Sequence, residues 1–124
     1  MNIFSWLLLG HLLGDWLLQN DWMARGKREG LFTLAGMTHF ATYTAAILTA
    51  LWLFNDREIN LVTSLTTGVS VFVSHWLIDA TDIVQRWMRF YGQSDGEMMR
   101  VMVDQTLHLL ALGLLITIFP LFGL

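Results

Sequence analysis

Three of the four histidines in this chain stand four residues from an aspartate, and all three pairs lie inside apolar stretches: His11/Asp15, His75/Asp79 and Asp104/His108. The fourth histidine, His39, lies alone in the remaining apolar stretch. Residues four apart share one face of a helix, so each pair predicts a helix that presents an imidazole and a carboxylate together. Such faces must turn away from hydrocarbon and toward one another. The expected fold is therefore all-α, an integral membrane four-helix bundle with a polar interior.

Composition supports that placement. Hydrophobic residues make up 55% of the chain and charged residues 14%, which is too oily for an ordinary soluble domain. With 124 residues there is room for one domain, and no composition shift divides residues 1–124. The chain has no cysteine, so any metal must use nitrogen and oxygen ligands. A net charge of -3, with basic residues in short clusters and not in a stripe, predicts no nucleic-acid partner. The N-terminus lacks the basic region and cleavage site of a secretory signal, so the first apolar segment is expected to be retained.

Four apolar segments are expected as helices: residues 3–18, 31–54, 61–80 with an amphipathic extension to 91, and 98–119. Crossing a hydrocarbon core of about 30 Å takes roughly 20 residues, so the first segment is short and the other three qualify. The first connection carries Arg25, Lys27 and Arg28, the third carries Arg86, Arg89 and Arg100, and the middle one carries Arg57 alone. That asymmetry predicts cytoplasmic first and third connections, with both termini outside. Trp16, Trp22, Trp87 and Tyr91 near the basic ends fit an interfacial belt.

In this topology the first and third helices read His then Asp, and the antiparallel fourth reads Asp then His. All three aspartates then lie about 6 Å nearer the cytoplasm than their histidines. His39 lies eight residues past Leu31 and His108 ten past Met98, which puts them at similar depth. The expectation is a four-histidine layer above a three-aspartate layer.

An aspartate near a membrane helix centre costs about 2.5 to 3.5 kcal/mol on insertion scales, so three need an offset of up to about 8 to 10 kcal/mol. A divalent metal can supply it. His11, His39, His75 and His108, with Asp15, Asp79 and Asp104, are the candidate ligands; zinc is expected first, then iron or manganese. The aspartates can instead accept the second N–H of each histidine and orient its ring toward a metal. The sequence leaves both versions open. The plainer reading is that the pairs are hydrogen-bonding glue between helices. Gln19 and Gln105 extend the polar face, Gln19 as cap or functional group and Gln105 as a bond to a neighbouring helix. Asp82 with Arg86 reads as a solvated i,i+4 pair. Gly10, Gly14, Gly36 and Gly68 are expected to permit close helix approach.

These residues carry a resemblance. The runs HLLGDWLLQNDWMARGKR, SHWLIDATD and DQTLHLLALGLL, with His39 between them, resemble a family of small bacterial and phage membrane proteins known as domain of unknown function 3307. The likeness spans essentially the whole chain and implies a bacterial inner membrane, but it supplies no activity. In carrying histidines and aspartates within apolar helices, the chain is also loosely similar to bacterial membrane proteins described as metal-dependent hydrolases of phosphoesters or lipids.

Three functions compete. The first is a metal-dependent hydrolase acting on a lipid or other amphiphilic phosphoester from the cytoplasmic leaflet, with a metal-bound water as nucleophile and Asp15, Asp79 or Asp104 as ligand or general base. The second is a proton or divalent-ion channel or transporter, which four short helices support only as a homo-oligomer. The third is a structural subunit of a membrane complex. Apart from Thr42, Tyr43, Thr44, Thr49 and Thr117, the segments 40–54 and 109–119 are apolar, which favours a pocket open to one side over a through-route. His11→Ala or His75→Ala is expected to lose metal and stability, whereas Arg57→Ala is expected to change little.

Overall fold

The computed structural model describes residues 1–55 and 59–118. Among them are six α-helices and no strand: α1 (Ile3–Leu12), α2 (Asp21–Gly26), α3 (Leu34–Phe54), α4 (Leu61–Ala80), α5 (Ile83–Phe90) and α6 (Glu97–Ile118). A π-helical turn, Leu13–Leu17, continues α1. Arg57 lies outside the described residues, as does the last residue of the expected 98–119 helix.

Helix starts follow from side-chain caps, which satisfy the N–H groups that a helix leaves open at its N-terminus. Asn2, Asn20 and Asn60 accept from Ser5 N, Met23 N and Thr63 N at 2.8–2.9 Å. Thr33 Oγ1 accepts from Gly36 N at 3.0 Å, so α3 begins at Leu34 and not at 31. At the other end of the chain's third segment, Thr81 takes an extended backbone (φ -108°, ψ 174°). The expected extension to 91 is therefore a separate helix, α5, set off by that break.

The all-α expectation holds, and α3, α4 and α6 are each long and apolar enough to cross a membrane. The first apolar helix, Ile3–Leu17, is shorter. At 1.5 Å per residue its 15 residues reach only about 22 Å, so length and composition support three spans, not four. Leu61, Val62, Leu65, Val69, Val73 and Leu77 leave apolar side chains exposed along α4, a surface that suits hydrocarbon and not water.

Helix α3 is the hub and packs on α1, the π turn, α2 and α4; α6 packs on α4, α5 and α1. Leu7, Tyr43, Ile47, Leu51, Val71 and Leu112 form one core. Ile78, Val84, Met88 and Val103 form a second. Along α4, His75 and Asp79 fall between Val71 and Ile78 and just beyond; along α6, Asp104, Gln105 and His108 fall between Val103 and Leu112. The polar cluster thus sits between two apolar plugs.

Helix α5 turns Val84 and Met88 inward and leaves Ile83, Trp87, Phe90 and Tyr91 outside, with Trp87 stacked on Tyr91 at 5.7 Å between ring centroids. This is the pattern of a helix lying in the membrane interface. Arg86 reaches Asp82 at 2.8 Å on the exposed side and holds its carboxyl below the ordinary aspartate range.

Candidate metal centre

The π turn decides how the first segment contributes. Leu18 N bonds Leu13 O at 2.8 Å, five residues back, which marks the π turn that carries Asp15. His11 and Asp15 stay on neighbouring positions, but the hydrogen bonds of His11 go elsewhere. His11 Nε2 lies 2.7 Å from Gln105 Oε1 and Nδ1 lies 2.9 Å from Tyr43 Oη. The Gln105 amide nitrogen faces Asp15 Oδ2 at 2.6 Å and Asp104 Oδ2 at 3.1 Å, which fixes the amide orientation. Because Gln105 Oε1 only accepts, His11 Nε2 donates to it and Nδ1 accepts from the Tyr43 hydroxyl. Both ring nitrogens of His11 are therefore used outside the candidate ligand group.

Asp15 faces α3 and α4. Its Oδ1 lies 3.2 Å from His39 Nε2 and 3.6 Å from His75 Nε2. Asp79 Oδ2 lies 3.3 Å from His39 Nε2 and 3.2 Å from His75 Nε2. The two histidine nitrogens are 2.9 Å apart. Four ligand atoms about 2.0–2.1 Å from a tetrahedral ion stand about 3.3–3.4 Å from one another, and these five separations bracket that edge length. His108 joins on the far side of Asp79, with Nε2 3.3 Å from Oδ1. Ligand atoms of Asp15, His75, Asp79 and His108 also lie mutually within 4.8 Å. The expected histidine and aspartate layers are thus one interleaved cluster.

Hydrogen-bond accounting points the same way. His108 Nδ1 lies 2.8 Å from the Asp104 carbonyl, which only accepts, so Nδ1 carries the hydrogen. Nε2 then faces a carboxylate oxygen of Asp79, a contact met either by a second proton on the ring or by a cation between the two. Asp79 Oδ1, Asp15 Oδ1 and His108 Nε2 are buried without a hydrogen-bond partner, and Asp79 Oδ2 has the Lys27 ammonium at 2.7 Å, a polar demand that a bound divalent cation would meet. The donor set fits a divalent ion of the zinc, iron or manganese kind.

The version in which each aspartate orients its own histidine differs from pair to pair: Asp79 Oδ2 lies 3.2 Å from His75 Nε2, His11 is held by Gln105 and Tyr43 and not by Asp15, and His108 Nδ1 is held by the Asp104 backbone carbonyl and not its carboxylate. Asp104 stands apart from the tight quartet, with Oδ2 3.8 Å from His108 Nδ1. It lines instead a cleft of about 230 Å³ that also touches Arg28, Thr81, Gln85, Arg100 and Asp79. This cleft runs from exposed Arg28 to the buried Asp79. Gln19 leaves its Oε1 buried and unpaired at the end of the first segment.

The sequence reading missed Lys27. It is the chain's only lysine, it sits in the basic first connection, and it is 4% exposed. Its ammonium lies 2.7 Å from Asp79 Oδ2 and 3.8 Å from Asp15 Oδ1. Small residues put it there: a Cβ on Gly26 would overlap the Ala35 methyl, and one on Gly36 would stand 3.2 Å from Lys27 Cα. Thr33 Oγ1 ties the same joint to the Gly26 carbonyl at 2.5 Å.

Fold and cluster together define an all-helical protein with three membrane-length helices and a buried His/Asp group that can hold a metal ion. Within that class the chain belongs to a family described as Protein of unknown function (DUF3307), whose model matches residues 3–122. Comparison with curated proteins and with solved structures gives no match.

Proposed function

We propose that the protein is an integral membrane metalloprotein that hydrolyses an ester bond in a lipid or other amphiphilic phosphoester. The observation that carries this reading is the quartet of Asp15, His39, His75 and Asp79, whose separations match the edge of a coordination polyhedron. The cleft adds what a merely structural site would not need, a route from the basic face to Asp79 and Asp104.

His39, His75, Asp15 and Asp79 hold the ion, with His108 on the second oxygen of Asp79. When bound, the ion, zinc, iron or manganese, would supply a water acidified toward neutral pH. Asp104, outside the quartet and on the cleft, would accept the water's proton. Arg28 and Arg100 hold the anionic oxygens of the substrate. In this proposal Ile3–Leu17 is a fourth, short crossing in a locally thinned bilayer, the basic connections face the cytoplasm of a bacterial inner membrane, and both termini face outward.

The experiment is metal analysis of detergent-purified protein by mass spectrometry, alongside His75→Ala, Asp79→Asn and Asp104→Asn, followed by hydrolysis of phospholipid and soluble phosphoester. Expected are one or two equivalents of metal in the parent, loss in the first two variants, and retained metal without hydrolysis in Asp104→Asn. Equal metal in the parent and in His75→Ala would remove the ligand assignment. The Lys27–Asp79 pair favours a second reading, a metal-free network that only ties the helices together. Metal-free, well-folded protein would establish that one.

A further inference from the structure

Three aspartates and a single primary amine share this cluster, and the amine has a place in it that the hydrolytic reading does not use. The Lys27 ammonium touches Asp79 Oδ2 and approaches Asp15 Oδ1, two oxygens of the candidate quartet. It is the only lysine or arginine head group paired with those carboxylates among the described residues. We infer that Lys27 is the resident counter-cation of the centre, and that a divalent ion binds by exchange with it, drawing the ammonium away from Asp79 and Asp15. The inference rests on the metal reading and adds a selectivity rule to it.

Electrostatics gives the exchange its direction. Without an ion, the carboxylates of Asp15 and Asp79 would face each other's field in a low-dielectric interior, and one tethered ammonium offsets part of that repulsion. A monovalent ion brings the same charge as the ammonium and lacks its tether, so it gains nothing by replacing it. A divalent ion brings one charge more. It also accepts the lone pairs of imidazole nitrogens, which an ammonium, a donor only, cannot do. The centre should therefore discriminate between charges, and not simply between sizes.

The geometry lets the head group move while its backbone stays. Lys27 Cα is clamped beside Gly36, and its neighbour Gly26 is pressed on Ala35, so the anchor point is fixed. Beyond it lies a flexible four-carbon stem. Arg28 and Glu29, the next residues, are exposed, so the loop that carries Lys27 borders solvent.

Because Lys27 is the only lysine, amine labelling read by intact and peptide mass spectrometry reports on it and the N-terminus alone. Full-length, metal-stripped protein in detergent is treated with a small acylating reagent, first in chelator with sodium chloride, then with saturating zinc or manganese. Lys27 is expected to be shielded in chelator and sodium, and labelled at least ten-fold faster once ion uptake is complete. Lys27→Met is expected to bind the ion at least ten-fold more tightly and to melt at a lower temperature when stripped, with the loss recovered on adding ion. Full ion uptake with Lys27 still shielded, or unchanged affinity in Lys27→Met, would overturn exchange and leave the metal centre standing. Failure of the parent to take up any ion would overturn both. Release of Lys27 by sodium alone would overturn the charge rule.

Discussion

At the scale of residues, His11 and Tyr43 separate stability from ligation. Tyr43 is 1% exposed, and its hydroxyl is the donor to His11 Nδ1. Tyr43→Phe strands a buried acceptor, which costs about 1 to 3 kcal/mol. A lower denaturation midpoint in detergent is expected, with metal content unchanged. His11→Ala is expected to behave alike: both of its nitrogens serve Tyr43 and Gln105, so the variant should lose stability and keep its ion. These hydrogen bonds set His11 apart from His75, with which spacing grouped it as a candidate ligand. Metal content of the two alanine variants checks the distinction: loss in His75→Ala alone supports it, and loss in both restores His11 to the ligand set. Lys27 was illegible for a different reason. A lysine in a basic connection reads as a topology signal, and nothing in its immediate sequence distinguishes a solvated lysine from one folded back on a carboxylate.

At the scale of elements, the apolar runs were legible and the turns between them only partly so. Length and hydrophobicity placed the three long helices to within a few residues, because a hydrocarbon-spanning helix must be long, apolar and internally hydrogen-bonded. The Thr33 cap and the Thr81 break moved two boundaries, since both depend on backbone angles and not on hydropathy. The π turn was invisible, because spacing arguments assume 3.6 residues per turn throughout. Gly14 holds that turn against α3: a Cβ there would stand 2.9 Å from a Tyr43 ring carbon and 3.0 Å from its Cα. Gly14→Ala is expected to push the turn outward, costing about 1 to 3 kcal/mol as an overpacked contact and moving Asp15 from His39. A weakened ion affinity with Tyr43 and His11 intact in sequence would be the signature. An unchanged affinity would show that Asp15 is not held by the turn.

At the scale of the whole molecule, the two sides of the cluster differ. On one side the cleft lined by Arg28, Thr81, Arg100 and Asp104 reaches Asp79. On the other, Leu7, Ile47, Leu51, Val71 and Leu112 close over it, with only the Tyr43 and Thr67 hydroxyls buried near them among the described residues and a cavity of only about 10 Å³. A space that small scarcely accommodates one water. Hydrolysis needs one open side, and conduction needs two. The cysteine-free chain makes the difference measurable, because a single introduced thiol is the only reactive one. Thr81→Cys, in the cleft, is expected to react rapidly with a charged, membrane-impermeant thiol reagent added to the face bearing the basic connections. Thr67→Cys, fourteen residues earlier on the same α4 axis, is expected to resist the reagent from either face of a sealed vesicle. Modification of Thr67→Cys from the opposite face would reveal a second aqueous route, and with it the continuous path that a channel requires and a one-sided hydrolase does not.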